Sequence, residues 1–258
     1  MKKYVKTAVG ILILLLAWQL AASSGFWSAY VLPSPAKVGK ALWTMAESGV
    51  LWKHIVISGG RVLKGFGIAF GLAFLCGLID YGFPWMEEYY GSFLEFMRNV
   101  PPISLIALLI LWFGIGETSK IIIIVLASFF PMYLNIRKGF VSCDKKLLEV
   151  GEVFGFGPWK RFFRIVLPSS VPDILVGMRV SLGYSWRAII GAEMIAAGSG
   201  LGYLILDAQQ MSRSDKVIAG ILVIGIVGIL CDKCFQLLIG RVVRRELTGA
   251  GLPQERGK

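Results

Sequence analysis

Long apolar stretches recur along this chain, at residues 8–22, 65–83, 90–115, 121–136, 172–197 and 217–240. Such runs decide the solvent before they decide the fold. A helix needs about 20 largely apolar residues to cross the roughly 30 Å hydrocarbon layer of a bilayer. Within lipid, a helix satisfies every backbone donor and acceptor internally, which an open strand or loop cannot do. The chain is 56% hydrophobic, above the roughly 45–50% of soluble domains. The sequence therefore predicts an all-α integral membrane protein with six transmembrane helices. Its 258 residues leave no room for a large soluble domain beside them, so residues 1–258 are expected to form a single transmembrane domain.

The runs differ in character. Residues 8–22 follow Lys2, Lys3 and Lys6, and Ala21-Ala22-Ser23 also fits a signal-peptide cleavage site. An uncleaved first helix makes the spans an even set and is preferred. Residues 65–83 carry Gly65, Gly67, Gly71, Gly77 and Gly82, small residues that let helices approach closely where lipid gives no hydrophobic drive. Pro101-Pro102 removes two backbone donors. The third span is then either a helix from about residue 90 broken there, or one that starts there. Between the first two spans, Leu32-Pro-Ser-Pro35 reads as an extended turn, and residues 36–51 have amphipathic helical spacing. That segment is expected to lie on the outer membrane surface, with His54 facing water or headgroups.

Orientation follows from lysine and arginine. With both termini cytosolic, the cytosolic segments gather Lys2, Lys3, Lys6, Arg98, Arg137, Lys138, Lys145, Lys146, Lys160, Arg161, Arg164, Arg241, Arg244, Arg245, Arg256 and Lys258. The outer segments hold fewer, chiefly Lys37, Lys40, Lys53, Arg61, Lys64, Arg213 and Lys216. This bias also accounts for the net charge of +11 without nucleic acid: no basic, aromatic-interleaved soluble module is present. Cys76, Cys143, Cys231 and Cys234 form no disulfide framework. The lone C-x-x-C at Cys231 and Cys234 lacks a second pair or a nearby histidine, so small buried side chains are expected and no metal site. One histidine, with no H-E-x-x-H and no G-x-S-x-G, argues against a membrane-embedded enzyme. An ion-driven carrier or channel is a transport alternative that these features leave open.

Residues 145–168 are a basic, glycine-punctuated island between apolar segments. Gly155-Phe-Gly-Pro158 separates two potential short helices, glycine permitting a left-handed turn and proline opening the next helix. Phe154, Phe156, Trp159, Phe162 and Phe163 lie beside Lys160, Arg161 and Arg164. On physics alone this is either an interfacial loop anchored at headgroups or a cytosolic surface on which a partner protein acts.

The spacing goes further. Glu149, then Gly155, then after nine residues Ile165, Leu167 and Pro168 resembles the E-A-A signature of binding-protein-dependent ABC importer permeases. Val150 and Gly151 stand where that signature has alanines, and glycine weakens a helix by about 1 kcal/mol relative to alanine. Leu32-Pro-Ser-Pro35, Pro101-Pro102 through Leu111-Trp-Phe-Gly-Ile-Gly-Glu117, Phe130-Pro131, Gly191-Ala-Glu-Met-Ile-Ala-Ala197 and Ser199-Gly-Leu-Gly-Tyr203 look like the nitrate/sulfonate/taurine branch of these permeases.

The resemblance implies a six-helix permease core in the bacterial cytoplasmic membrane, in contact with membrane lipid and paired with a second copy as a homodimer. It implies cytosolic ABC ATPase subunits that receive the loop as a coupling helix, and an extracytoplasmic solute-binding protein that delivers the solute. Glu149, Gly151, Glu152, Gly155, Gly157, Pro158, Trp159, Ile165, Leu167 and Pro168 are the expected ATPase-coupling residues. The chain has no G-x-x-x-x-G-K-[ST] loop, so ATP and Mg are expected on the partner ATPase and no cofactor in this chain. Aliphatic sulfonates, taurine, nitrate, bicarbonate and thiamine precursors are the solutes this branch implies, with a small anion such as a sulfonate, taurine or nitrate preferred.

The fifth span holds Arg179, Gly183, Arg187 and Gly191 at four-residue spacing, with Glu193 beyond. A charge deep in a bilayer costs at least about 2.5 kcal/mol, so it faces protein or a wet cavity. Arg187 then either pairs with an acid on a neighbouring helix or lines a translocation path and helps an anion along it. Arg179 either lines the same path or snorkels to the inner interface.

Overall fold

The structure is a computed structural model and describes residues 2–249. Arg256 and Lys258, assigned above to the cytosolic side, lie outside the described residues. Eleven α-helices follow one another among the described residues: α1 Lys2–Ser23, α2 Pro35–Glu47, α3 Val50–Gly82, α4 Glu87–Asn99, α5 Ile106–Phe113, α6 Glu117–Val141, α7 Lys145–Val153, α8 Pro158–Arg161, α9 Leu167–Ala196, α10 Leu201–Gln210 and α11 Ser214–Gly249. Five helical stretches are long and apolar enough to cross a membrane, and a sixth crossing is counted if the bent pair Pro84–Asn99 and Pro102–Phe113 is one span.

The helices depart from the apolar runs in informative ways. α3 begins at Val50, well before residue 65, and its 33 residues make a rod about 50 Å long at about 1.5 Å per residue. The third run, 90–115, is interrupted at the proline pair. Val100 takes an extended conformation (φ −81°, ψ 118°) before the proline pair, and α4 and α5 meet at 90°. Pro102 opens a short 3-10 turn, Pro102–Leu105, from which α5 grows. Neither Pro168 nor Pro172 starts α9; both lie within it. Just before them the ladder widens into a π turn, Phe162–Val166, in which the Leu167 N–H bonds to the Phe162 carbonyl. Such widening accommodates a residue that lacks a donor and crowds the preceding turn.

The chain packs as two compact units. One comprises the chain up to Gly60 with Ile190–Val227. In it α1 presents exposed Ile11, Leu12, Leu14 and Leu16, while the Trp18 indole N–H bonds to the Pro33 carbonyl at 3.1 Å. Ser34 caps α2 by accepting the Lys37 N–H. The apolar stripe of α2, Val38, Ala41 and Met45, is buried. Met45 shares a small cavity with Leu204 and Ala208 of α10, so α2 is packed on protein instead of lying with its apolar face in lipid.

The other unit comprises Arg61–Ile189 with the chain from Gly228. Its core gathers Ala73 of α3, Met132, Tyr133, Ile136 and Phe140 of α6, Phe162 and Val166 of the π turn, and Ile174 of α9. α3 and α6 touch where α3 has no side chain: a Cβ on Gly65 would lie 2.6 Å from Ile124 Cγ2, and one on Gly77 2.8 Å from Ile136 Cγ2. Gly67, Gly71 and Gly82 face open space.

Candidate functional site: an exposed hairpin and the charged groups of α9

The segment between α6 and α9 folds as a helical hairpin. Asp144 caps α7 by accepting the Lys146 N–H at 2.9 Å. α7 ends where Gly155 turns left-handed (φ 67°). The Gly155 N–H bonds to the Glu152 carbonyl at 2.8 Å and the Phe156 N–H to the Gly151 carbonyl at 2.9 Å, which together close a Schellman motif. Gly157 then extends and Pro158 opens α8.

Gly151, the departure from alanine in the signature, is buried. A Cβ there would lie 2.6 Å from Ile165 Cδ1 and 3.3 Å from Arg161 Cγ. The glycine that weakens α7 as an isolated helix thus lets it close on the returning chain. Arg161 pairs with Glu152 across the gap. Phe162 points inward and meets Phe140 at 5.3 Å and Tyr81 at 5.2 Å between ring centres, fixing the hairpin to the core of α3 and α6.

What remains outside is apolar and basic. Val153 is 87% exposed, Phe154 72% and Trp159 76%. Trp159 stacks on Phe163 with planes 18° apart, and the Lys160 ammonium sits 4.1 Å above the Phe156 ring. Glu149, Gly157 and Pro168 are also exposed, and Leu167 is half-buried. The structure therefore gathers Glu149, Gly151, Glu152, Gly155, Gly157, Pro158, Trp159 and Ile165 into one hairpin, with Leu167 and Pro168 at its root.

The charged residues of α9 do not form one group. Arg179 makes a bidentate pair with Asp232 of α11, at 2.7 and 3.0 Å. This is the partnered arrangement the sequence offered for Arg187. Arg187 is exposed, donates to the Gly183 carbonyl at 3.0 Å and lies 4.9 Å over the Tyr184 ring. Gly183 leaves room for it, since a Cβ there would touch an Arg187 guanidinium nitrogen at 3.4 Å. Gly191 is half-buried.

Glu193 is fully buried, which removes it from any solvent-lined surface in this structure. It braces the start of α10. Ser58 Oγ donates to its carboxylate at 2.8 Å, and the Gly202 N–H reaches Oε2 at 3.0 Å. Ser58 Oγ in turn accepts the Leu201 N–H at 2.9 Å, and His54 Nδ1 accepts the Gly200 N–H at 2.9 Å. His54 is therefore half-buried and bonded to backbone, not turned to water or headgroups. Three successive N–H groups of the first turn of α10, with no earlier helical carbonyl to bond, are capped by side chains from α3 and α9. A fully buried carboxylate fits there because the helix N-terminus carries partial positive charge.

Sequence reasoning overlooked α10 and one ion-pair cluster. Leu201, Leu204, Ile205 and Ala208, all buried, have the i, i+3, i+4, i+7 spacing of a one-faced helix, a signal present in the chain. Arg61, almost wholly buried, grips Glu117 at 2.7 and 2.6 Å, and Lys120 joins at 2.9 Å. No local pattern announces that pairing.

Comparison with known proteins gives a consistent picture. Residues 67–247 match the family described as the binding-protein-dependent transport system inner membrane component. A chain of Escherichia coli strain K12 described as the aliphatic sulfonates transport permease protein SsuC is 40% identical over 221 residues, covering 86% of this chain and 84% of that one. The taurine transport system permease protein TauC of the same strain is 33% identical over 261 residues, covering 96% and 90%. Among solved structures, an amino acid ABC transporter matches with a TM-score of 0.63 at 15% identity, over 79% of this chain and 97% of that one. At that identity the likeness concerns the fold.

Proposed function

This chain belongs to the family of inner membrane components of binding-protein-dependent transport systems, and from that premise we propose that it carries a small organic anion of the alkanesulfonate or taurine class, coupled to ATP hydrolysis through its 145–168 hairpin. It is the permease subunit of an ABC importer in the bacterial cytoplasmic membrane, and its family works with ATPase subunits and a solute-binding protein. The solute class rests on the 40% and 33% identical relatives described for aliphatic sulfonates and taurine.

The observation that carries the coupling role is the hairpin itself. It is rooted by Phe162 in the α3–α6 core yet presents Phe154, Trp159 and Val153 unpacked. Exposed apolar side chains clustered beside cations mark a protein- or membrane-interaction surface, and the ATPase partner of this family favours the first. An ATPase that grips this surface moves the root of α9 with it, and rigid helices carry that displacement into a switch between inward-open and outward-open packings. ATP and Mg then belong to the partner ATPase. Both termini and the hairpin face the cytosol, two copies of the chain form the pathway, and Arg187, flanked by Gly183 and free of any carboxylate partner among the described residues, offers its charge to the passing anion. Glu193, His54 and Ser58 serve the packing of α10.

The test is reconstitution of this chain with its ATPase subunits and binding protein in proteoliposomes, with labelled taurine and an alkanesulfonate. ATP-dependent uptake is expected, lost when the ATPase is omitted. Uptake without the ATPase, driven by an imposed ion gradient, would overturn the proposal.

A further inference from the structure

A cavity of about 500 Å³ opens between α2 and the turn joining α10 to α11, wholly within one unit. Its volume is within the range of small-molecule sites, about 300–1,000 Å³. Its charge is lopsided. Lys37, Lys40, Arg213 and Lys216 line it, with Asp215 as its one carboxylate. That carboxylate is already committed: Arg213 holds both its oxygens, at 3.0 and 2.8 Å. The three lysines are left as excess positive charge, and Lys37 and Lys40 share a face of α2 by their i, i+3 spacing.

The backbone adds to this bias. α2 begins at Pro35 and α11 at Ser214, so two helix N-termini lie at the same cavity; that of α11 is offset by Asp215 in its own first turn, which leaves the partial positive charge of α2. Ser212, also in the lining, is held at φ 55° in the left-handed position of a second Schellman turn. There its N–H bonds to the Gln209 carbonyl at 2.9 Å and the Arg213 N–H to the Ala208 carbonyl at 2.8 Å. Glycine is the usual residue at such a position; a serine keeps a hydroxyl donor beside the lysines. Ser214 Oγ ties the turn to the Tyr30 carbonyl, so the two walls are joined.

The surroundings set the depth. Phe26, Trp27, Tyr30, Trp43 and Trp52 of the same unit are all exposed. Tryptophan and tyrosine concentrate at the headgroup level of a bilayer. We propose that this cavity is a binding site for the phosphate of an anionic lipid headgroup, held by Lys37, Lys40 and Lys216 and by the N-terminus of α2. The chemistry is that of a singly charged tetrahedral oxyanion, which a soluble phosphate or sulfonate shares, so the experiment separates the sources.

The purified protein is titrated with phosphatidylglycerol and with phosphatidylcholine, and lipid retention is read by native mass spectrometry. Wild-type protein is expected to retain phosphatidylglycerol preferentially. The Lys37→Ala, Lys40→Ala double variant is expected to lose about 25-fold in that preference, about fivefold for each lysine, with phosphatidylcholine retention unchanged. The Lys37→Arg, Lys40→Arg variant keeps the charge and is expected to keep the preference. Lys53→Ala, an exposed lysine outside the cavity, is expected to change nothing. No preference in the wild type, undiminished preference in the double alanine variant, or an equal loss in Lys53→Ala would each overturn the site. Displacement of phosphatidylglycerol by millimolar methanesulfonate or inorganic phosphate would overturn the lipid assignment in favour of a soluble oxyanion.

Discussion

The turn at Gly155 offers a graded test of coupling, because its energetics can be worked from the backbone. Gly155 sits at φ 67°, and no atom lies within 4 Å of where a Cβ would be. A substitution there meets no steric neighbour, so its cost is that of the left-handed backbone alone. For alanine that cost is roughly 1–2 kcal/mol, a shift of about 5–30-fold away from the closed turn. Asparagine, which visits this region more readily, costs less. Proline is different in kind. Its φ is fixed near −65°, its ring pushes Phe154 away from the φ −79°, ψ 6° it holds, and it deletes the N–H that bonds to Glu152 at 2.8 Å. The turn cannot form with proline. Solute transported per ATP hydrolysed, measured in proteoliposomes with the ATPase subunits, is expected to fall in the order glycine, asparagine, alanine, proline. Hydrogen exchange of the hairpin amides should rise in the same order. Insertion and yield should be unchanged, since the turn lies outside the α3–α6 core. A proline variant that transports with the wild-type ratio would refute the idea that this hairpin transmits force.

Gly151→Ala should be close to neutral in stability: the gain of about 1 kcal/mol in helix propensity is offset by forcing Ile165 off its rotamer, about 0.5–1.5 kcal/mol. Removing Ile165 Cδ1 by Ile165→Val should release that gain, a coupling readable in a double-mutant cycle of thermal unfolding. Glu193→Ala leaves the Ser58 hydroxyl and the Gly202 N–H without an acceptor. A loss of about 1–3 kcal/mol for each such buried group is expected, seen as a lower unfolding midpoint and faster exchange at the start of α10, with Glu193→Gln milder. Arg187→Ala should reduce anion uptake at matched expression by about tenfold or more, the loss of a charge-assisted contact worth about 1.5–3 kcal/mol. Arg179→Ala should reduce uptake less, because that guanidinium is already bound by Asp232.

What the sequence discloses follows from what lipid demands. Apolar runs stand out because a hydrocarbon layer tolerates little else, so the crossings were readable. Their ends were not. Nearly the first half of α3 was missed because Lys53, His54, Ser58 and Gly59-Gly60 interrupt its hydrophobicity. The hairpin was legible as a sequence because its instructions are local: a left-handed glycine and a proline at the start of α8. The exchange of alanine for Gly151 looked like a defect until Ile165 was found against it.

The fate of Glu193 shows why the rest was hidden. Read along α9, an acid near two arginines and two glycines suggests a wet surface. In the fold it meets Ser58 from α3 and the amides that open α10. α10 begins inside the protein, where no water reaches its first N–H groups, and a buried helix end must find acceptors. The polar residues that obscured the start of α3 are those acceptors: Ser58 takes the Leu201 N–H, and His54 takes the Gly200 N–H. An interruption in an apolar run therefore has two readings, a residue that meets solute or a residue that ends another helix. The second needs a partner far along the chain, and only the fold supplies it. Arg187 donates to its own helix and lies open on its surface, so uptake by Arg187→Ala is the measurement that decides between the two readings for it.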